Sequence, residues 1–555
     1  MEETKYLHIF SGNNIFNEYV YGPEYHEPFV SATFLSDEFS DVRVDYNLRK
    51  WFKMLNEPLT FEILSDGKVS WKKTGTATAK TIEYRKNDGE WTSITSTTGG
   101  TEINVETGDI VQFRGDNNAY ANSAEAFNSF GSTSDFNVYG NIMSLLNKED
   151  FLNTRTLSTN YTFDGLFCDC TTLVSSEWLA LPALTLTEGC YRYMFVGCTN
   201  MLDTPILPAT SIGGWSYSDM FSCCINIQKA PKLPAMELGT YCYFKMFSGC
   251  TIEEPPVLPA TDLADYCYCY MFTRCANLKY LPELPAKTLK QGCYRWMFNY
   301  CNGLTGSIDF IYSGQTLPAE CFRGMFAGDI NLEHVNGYIQ ADNFEDSCCY
   351  GMFVDCPNLI TALDFIGNSN TVMTSASCYN MFCNDGKLIK SPELPATTLG
   401  DHCYRQMFYG CFELTEAPSE LPATTIGEYC YHAMFMSCST LQQIDFELPA
   451  TTLAKGCYRS MFNQCTNLVN PPVLSALTLE EECYMYMFNH TSVNNITCLA
   501  TDISATDCTF NWAFDLQSSS GTFIKNPNIG VGGTGEWQRG IDGIPYGWTI
   551  QDAVI

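Results

Sequence analysis

From residue 168 onward, apolar residues recur in a fixed short pattern. In "CYRYMFVGC" (190–198), Cys190, Met194 and Cys198 fall on every fourth residue, with Tyr191 and Phe195 as an adjoining stripe. Cys242, Met246, Phe247 and Cys250 repeat it, as do Cys403, Met407, Phe408 and Cys411. A spacing of four predicts a short helical turn or two with one wide apolar face. The Met-Phe pair marks the register at Met194, Met220, Met246, Met271, Met297, Met325, Met352, Met381, Met407, Met434, Met461 and Met487. Weaker copies stand at Leu166-Phe167 and Ala513-Phe514, and successive markers lie 25 to 29 residues apart. About 14 units at this period predict a solenoid whose degenerate end copies act as caps.

A second element precedes most markers, as in "LPALTL" (181–186), "LPATDL" (258–263) and "LPATTL" (448–453). It predicts a short extended strand, its proline tolerated only at a strand end or turn. One such unit cannot bury its own apolar face, but stacked units cover one another. At the usual ~4.8 Å between neighbouring strands, the stack makes a rod on the order of 65 Å long. The expectation is therefore an α+β solenoid of leucine-rich-repeat type over 161–515, with 516–555 as its C-terminal cap.

All 28 cysteines lie between Cys168 and Cys508. Zinc sites use close-set pairs, often with histidine. Here the recurring spacing is eight residues, and the chain has only 6 histidines. Buried free thiols fit better, since cysteine packs as a small apolar residue.

The cysteine-free front has a different texture. Segments such as "LTFEIL", "KVSWKK", "KTIEYRKN" and "DIVQFRG" alternate with Gly, Asn and Asp turns, including Asn87-Asp88-Gly89. They predict an antiparallel β-sandwich over 58–140 that serves as a spacer, followed by a linker or solenoid cap at 141–160. Residues 1–57 are rich in Tyr, Phe, Asn and Pro with weak periodicity, too short for a core of their own. Tyr6, Phe10, Phe16, Tyr19, Tyr21, Tyr25 and Phe29 mark this stretch as a docking segment that buries its aromatics against a partner.

Net charge is −31. This argues against nucleic acid, whose phosphates need clustered Lys and Arg, and against an anionic membrane surface. No apolar run reaches the 18 or more residues of a membrane span. Hydrophobic residues at 45% and aromatics at 14% indicate a folded chain.

"MFNQCTNL" (461–468) and "MFTRCANL" (271–278), with the Leu-Pro-x-x-Leu segment and the tail "GIPYGWTIQDAVI", resemble BspA-like leucine-rich repeats. In that family the core usually reads Ala-Phe-x-x-Cys-x-x-Leu. The resemblance covers about residues 160–555 and implies surface adhesion, in a family found in Bacteroidetes and their phages. Asp329 and Thr491 depart from the second cysteine, and residues 363–377 lack Leu-Pro-Ala. The opening segment is similar to leaders of virion proteins of Bacteroidetes and crAss-like phages. "MEETKYLHIF" contains no secretory signal. Many unpaired cysteines also suit a protein made in a reducing cytosol. The combined expectation is a bacteriophage virion fibre or decoration protein that docks on other virion proteins, with homo-oligomerisation open. The alternatives are a bacterial cell-surface adhesin lacking its leader and a glycan-degrading virion enzyme.

Inside the frame, the two residues before Met-Phe vary, which suggests exposure. Arg192, Arg295, Arg323, Arg405 and Arg459 share one register; Tyr193, Tyr270, Trp296 and Tyr486 stand beside it. Aromatic rings stack on sugar faces and arginine bonds hydroxyls or acids, so this row is the candidate face for a host-surface glycan or protein. The plainer reading is arginine lying over the repeat layer and balancing local acids. The sequence has no Gly-rich phosphate loop, Gly-x-Ser-x-Gly elbow or His-Glu-x-x-His. No catalytic residue and no cofactor are expected.

Overall fold

The computed structural model describes residues 10–11, 14–15 and 55–555, apart from residues 124, 369 and 555. Tyr6, Phe16, Tyr19, Tyr21, Tyr25 and Phe29 lie outside the described residues. The backbone of Phe10 lies in the strand Phe10–Ser11, antiparallel to Asn14–Ile15.

The nonamers are not helical. Among the described residues, helix is confined to residues 55–56 and the 3-10 turn Ile142–Leu145. The chain instead forms a β-solenoid of about 14 turns, which corrects the α+β expectation. Backbone hydrogen bonds give the reason. Arg192, Met194, Val196 and Cys198 donate their N–H three residues back within their own coil, at 3.1–3.3 Å. Gly189, Tyr191, Tyr193, Phe195 and Gly197 donate instead to Gly214, Ser216, Ser218, Met220 and Ser222 of the next coil, at 2.9–3.0 Å. Alternate amides thus close β-turns and bind neighbouring coils.

Every fourth residue is left-handed: Gly189 (φ 63°), Tyr193 (53°) and Gly197 (72°). The three positions recur from Tyr161, Gly165 and Asp169 to Asp507, Asn511 and Asp515. A right-handed helix cannot contain such residues, which cost about 1–2 kcal/mol each outside glycine. A run of turns reproduces the helical spacing of four because its buried side chains also return every four residues. The same register moves the last marker. Phe488 donates to Trp512, as Phe462 does to Met487. Trp512-Ala513 is therefore the final pair, rather than Ala513-Phe514.

Two aromatic ladders run down the interior. Phe167, Phe195, Phe221, Phe247, Phe272, Phe298 and Phe326 stack with successive ring centroids 5.4–5.8 Å apart. A parallel ladder through Tyr191, Tyr217, Tyr243, Tyr268 and Tyr294 breaks where Cys349 and Cys378 replace the ring.

On the opposite side, proline decides how much strand forms. Most coils carrying Leu-Pro-Ala keep two-residue strands, such as Thr185–Leu186 on Ser211–Ile212, and isolated bridges such as Lys390 with Glu416. Where that segment is missing, Gly306–Ser313 pairs in full with Leu332–Gln340, which in turn pairs with Asp364–Ile366. Proline lacks the N–H that a ladder needs.

The predicted sandwich is present. One sheet orders Thr101–Val105, Gly67–Lys73, Ala126–Ser132 and Ala121–Ser123; the other runs through Phe136–Asn141, Leu59–Ile63, Ile110–Arg114, Thr81–Lys86 and Thr92–Thr95. Asn87 and Asp88 are both left-handed (φ 50° and 59°), the geometry of a tight hairpin turn. Phe61, Trp71, Phe113, Phe130 and Phe136 fill the space between the sheets.

No linker separates sandwich from solenoid. Phe136–Asn141 pairs in parallel with Leu173–Ala180, a strand of the first coil. Phe130 donates to Leu166 at 2.8 Å and its ring stacks 5.6 Å from Phe167, so the sandwich occupies the place of a preceding coil. At the far end, Trp512 stacks on Trp537 at 5.4 Å, and Asn495–Cys498, Thr522–Lys525 and Thr549–Asp552 close the array in parallel. No helix among the described residues is long and apolar enough to cross a membrane.

Candidate functional site

The cysteines belong to the core. All 28 are free; among them only Cys223 is exposed and Cys168 partly exposed. The Cys198 row has a specific role. Cys198 donates its thiol to the Phe167 carbonyl of the preceding coil at 3.1 Å; Cys224, Cys250, Cys275 and Cys301 do the same to Phe195, Phe221, Phe247 and Phe272 at 2.9–3.0 Å. That carbonyl receives no N–H from the neighbouring coil, because alternate amides point elsewhere. The thiol supplies a donor while filling a small apolar gap, which Ala and Val cannot do.

Two carboxyls replace thiols in this row. Asp329 accepts from the Cys301 amide at 2.6 Å and Asp385 from the Cys356 amide at 2.8 Å. Both are fully buried, and burial pushes both well above the usual carboxylate range. Each keeps one carboxyl oxygen without a partner among the described residues. Asp385 was not singled out from the sequence because Cys383 sits two residues earlier.

The arginine register is a real row, but it is half-buried and mostly paired. Arg192 departs furthest from the expected exposure: it is 7% exposed and bonds buried Asp164 through Nη2 at 2.9 Å. Desolvation pushes the Asp164 carboxyl up to about 7, with the guanidinium pulling against it. Arg192 and its Tyr161 and Tyr193 neighbours thus form a structural pair rather than a ligand grip.

Arg295 and Arg459 show a second arrangement, twice over. Arg295 bonds Glu320 at 2.7 Å, and Tyr266, on the other side, bonds the same carboxylate at 3.0 Å. Between them lies Gly292, where a Cβ would stand 2.2 Å from the Tyr266 ring. Arg459 bonds Glu482, Tyr429 reaches that carboxylate at 3.2 Å, and Gly456 leaves room for the Tyr429 ring. Each latch spans three coils. Its sequence signal is Gly three residues before Arg, with Glu at the matching place one coil later. Glu320, Glu482, Tyr266, Tyr429 and these glycines escaped the sequence reading, which treated each unit separately.

The aromatic members also stack across coils. Tyr270 and Trp296 lie 6.1 Å apart and nearly parallel, and Trp296 rests over Gly324. Trp215, Tyr241 and Tyr266 stack at 4.3 and 4.8 Å in the neighbouring row. Tyr486 meets Phe510 edge-on at 5.7 Å. The structure thus brings Tyr270, Arg295, Trp296 and Arg323 together. Tyr193 and Tyr486 lie toward the two ends of the array.

Further along, Arg323 bonds Glu320 at 2.6 Å and faces Tyr350 at 4.4 Å; Tyr350 meets Tyr379, and Arg405 lies 5.3 Å from Tyr379. This face offers stacked rings and guanidinium edges on a flat surface, chemistry suited to binding. A depression of about 500 Å³ lies elsewhere, at the C-terminal cap beside Trp537, Arg539 and Tyr546. Among the described residues, no three His, Cys, Asp or Glu side chains converge as metal ligands.

No protein-family description, curated protein or solved structure matches this chain. The resemblance to BspA-like repeats rests on the repeat motif alone.

Proposed function

We propose that the chain is a non-enzymatic adhesion rod, a bacteriophage virion fibre or decoration protein. In this reading, residues 1–57 dock on other virion proteins and the sandwich supports the rod. The solenoid then presents its arginine and aromatic rows to a host-surface or mucosal glycan. The carrying observation is a pair of neighbouring rows, Trp215–Tyr241–Tyr266 and Tyr270–Trp296, in which half-buried rings stack across adjoining coils beside arginines. Rings pre-stacked by the backbone lose little freedom on meeting a sugar face. The free, hydrogen-bonded thiols favour folding in a reducing cytosol, as for a particle assembled inside its host.

Glycan-array binding of the full chain tests the ligand claim. Wild type is expected to bind a subset of glycans, and Trp296→Ala to lose them while keeping its thermal transition. Unchanged binding by Trp296→Ala removes these rows from consideration. Mass spectrometry of purified phage particles tests the context. Recovery of the chain only in bacterial envelopes contradicts the virion assignment.

A further inference from the structure

Arg405 differs from its neighbours in the row. Arg192 has Asp164, Arg295 and Arg323 share Glu320, and Arg459 has Glu482. Among the described residues, the Arg405 side chain forms no ion pair and no hydrogen bond, and its guanidinium lies 5.3 Å from the Tyr379 ring. Its Nε is buried without a partner, as are those of Arg295, Arg323 and Arg459, but beside Arg405 the Nδ1 atoms of His402 and His432, on the same and the following coil, are unmet as well. Buried polar groups ordinarily find partners.

The flanking histidines cannot supply that acid, nor do they add much charge. Burial, then Arg405 and Arg459, drive His432 down to about 3, so it is neutral at physiological pH. Burial and Arg405 also lower His402, against Asp401 and Glu428. His402 stacks on Tyr429 at 5.5 Å, and Tyr350 and Tyr379 lie on the other side. A guanidinium without an ion pair, beside neutral His432 and the Tyr379 ring, therefore suits a small anion held on an otherwise neutral, stackable body.

We propose that Arg405, with His402 and His432 beside it, is the anion subsite of the glycan face, taking the carboxylate or sulfate of an acidic sugar. A guanidinium grips either group through two parallel N–H bonds. The sugar ring then lies toward Tyr379 and Tyr350. A densely charged polyanion is disfavoured, because the chain's own negative charge repels it within a Debye length.

This inference rests on the glycan-binding reading, and one experiment separates their failures. Immobilised oligosaccharide pairs differing only at one terminal unit (glucuronic acid or glucose, galactose 6-sulfate or galactose) are titrated with the full chain. Wild type is expected to prefer the acidic member by on the order of tenfold, and added salt to shrink that margin. Arg405→Gln is expected to erase the preference while neutral binding and the thermal transition stay unchanged. Arg405→Lys retains part of it, and Lys68→Gln, an exposed cation on the sandwich, leaves it intact. The carboxylate and sulfate pairs reveal which anion is favoured. Equal binding of acidic and neutral members, or an undiminished preference in Arg405→Gln, overturns the anion subsite and leaves the glycan face standing. Absence of binding to every member overturns both.

Discussion

The inner and outer sides of one turn follow opposite rules. Inside, like stacks on like: phenylalanine on phenylalanine, with thiol after thiol bonding the coil before it. Outside, unlike residues alternate: Tyr266, then Gly292 with Arg295, then Glu320. Apolar rings gain by repetition, because each covers its neighbour from water. Charges repel when repeated, so the charged positions of the outer rows set cations against acids. Variation along the outer rows is therefore complementarity between coils. Arg405 stands out because its complement is missing.

The comparison breaks most visibly at an inner ring. Phe298 is fully buried between Phe272 and Phe326. Phe298→Ala should cost about 3–5 kcal/mol in denaturant unfolding, and half-buried Tyr270→Ala under about 1.5 kcal/mol. Equal losses would erase the distinction between the two sides.

Next in size is pH. Burial raises the Asp329 and Asp385 carboxyls well above the value of about 4 that they have in the unfolded chain. Their folded values are raised. Their contribution is thus fully present below the unfolded value and declines as pH rises toward the folded one, by about 1.4 kcal/mol per unit per group. The Asp329→Asn and Asp385→Asn double variant should flatten the fall in stability as pH rises above about 4, and exceed wild type at the upper end of the series. A thermal-shift series in which both proteins respond identically would show that these carboxyls ionise freely.

A smaller effect belongs to the latch glycines. Gly292→Ala places a methyl against the Tyr266 ring at a left-handed residue, and should cost about 1–2 kcal/mol by chemical denaturation. Tyr266→Ala in the same chain should recover part of that loss. The smallest effect is electrostatic: Glu482→Gln should lower stability by about 0.5–1 kcal/mol, less at high salt.

Much of this organisation was legible in the sequence. The Met-Phe register gave the number of coils, and the apolar stripe named the buried residues, Cys190, Met194, Phe195 and Cys198 among them. The strand segments of the front predicted the sandwich. The local conformation was misread, because helices and successive turns share a spacing of four. The distinguishing signal was the recurrent Gly, Asn and Asp at Gly189, Gly197, Asn380 and Asp507, residues suited to positive φ. The outer face was read one unit at a time, so Arg192 looked free although Asp164 waits one coil earlier. Pairing across some 25 residues leaves no trace inside a single repeat.

The claim that outer variation is complementarity has a direct test in a double-mutant cycle on one latch. Tyr266→Phe, Glu320→Gln and their combination are compared in equilibrium unfolding. The account predicts a coupling of about 0.5–1.5 kcal/mol, since Tyr266→Phe removes the hydrogen bond across Gly292 and Glu320→Gln takes the charge from its acceptor. Additivity to within about 0.3 kcal/mol would contradict it, and would return the outer rows to independent, freely varying positions.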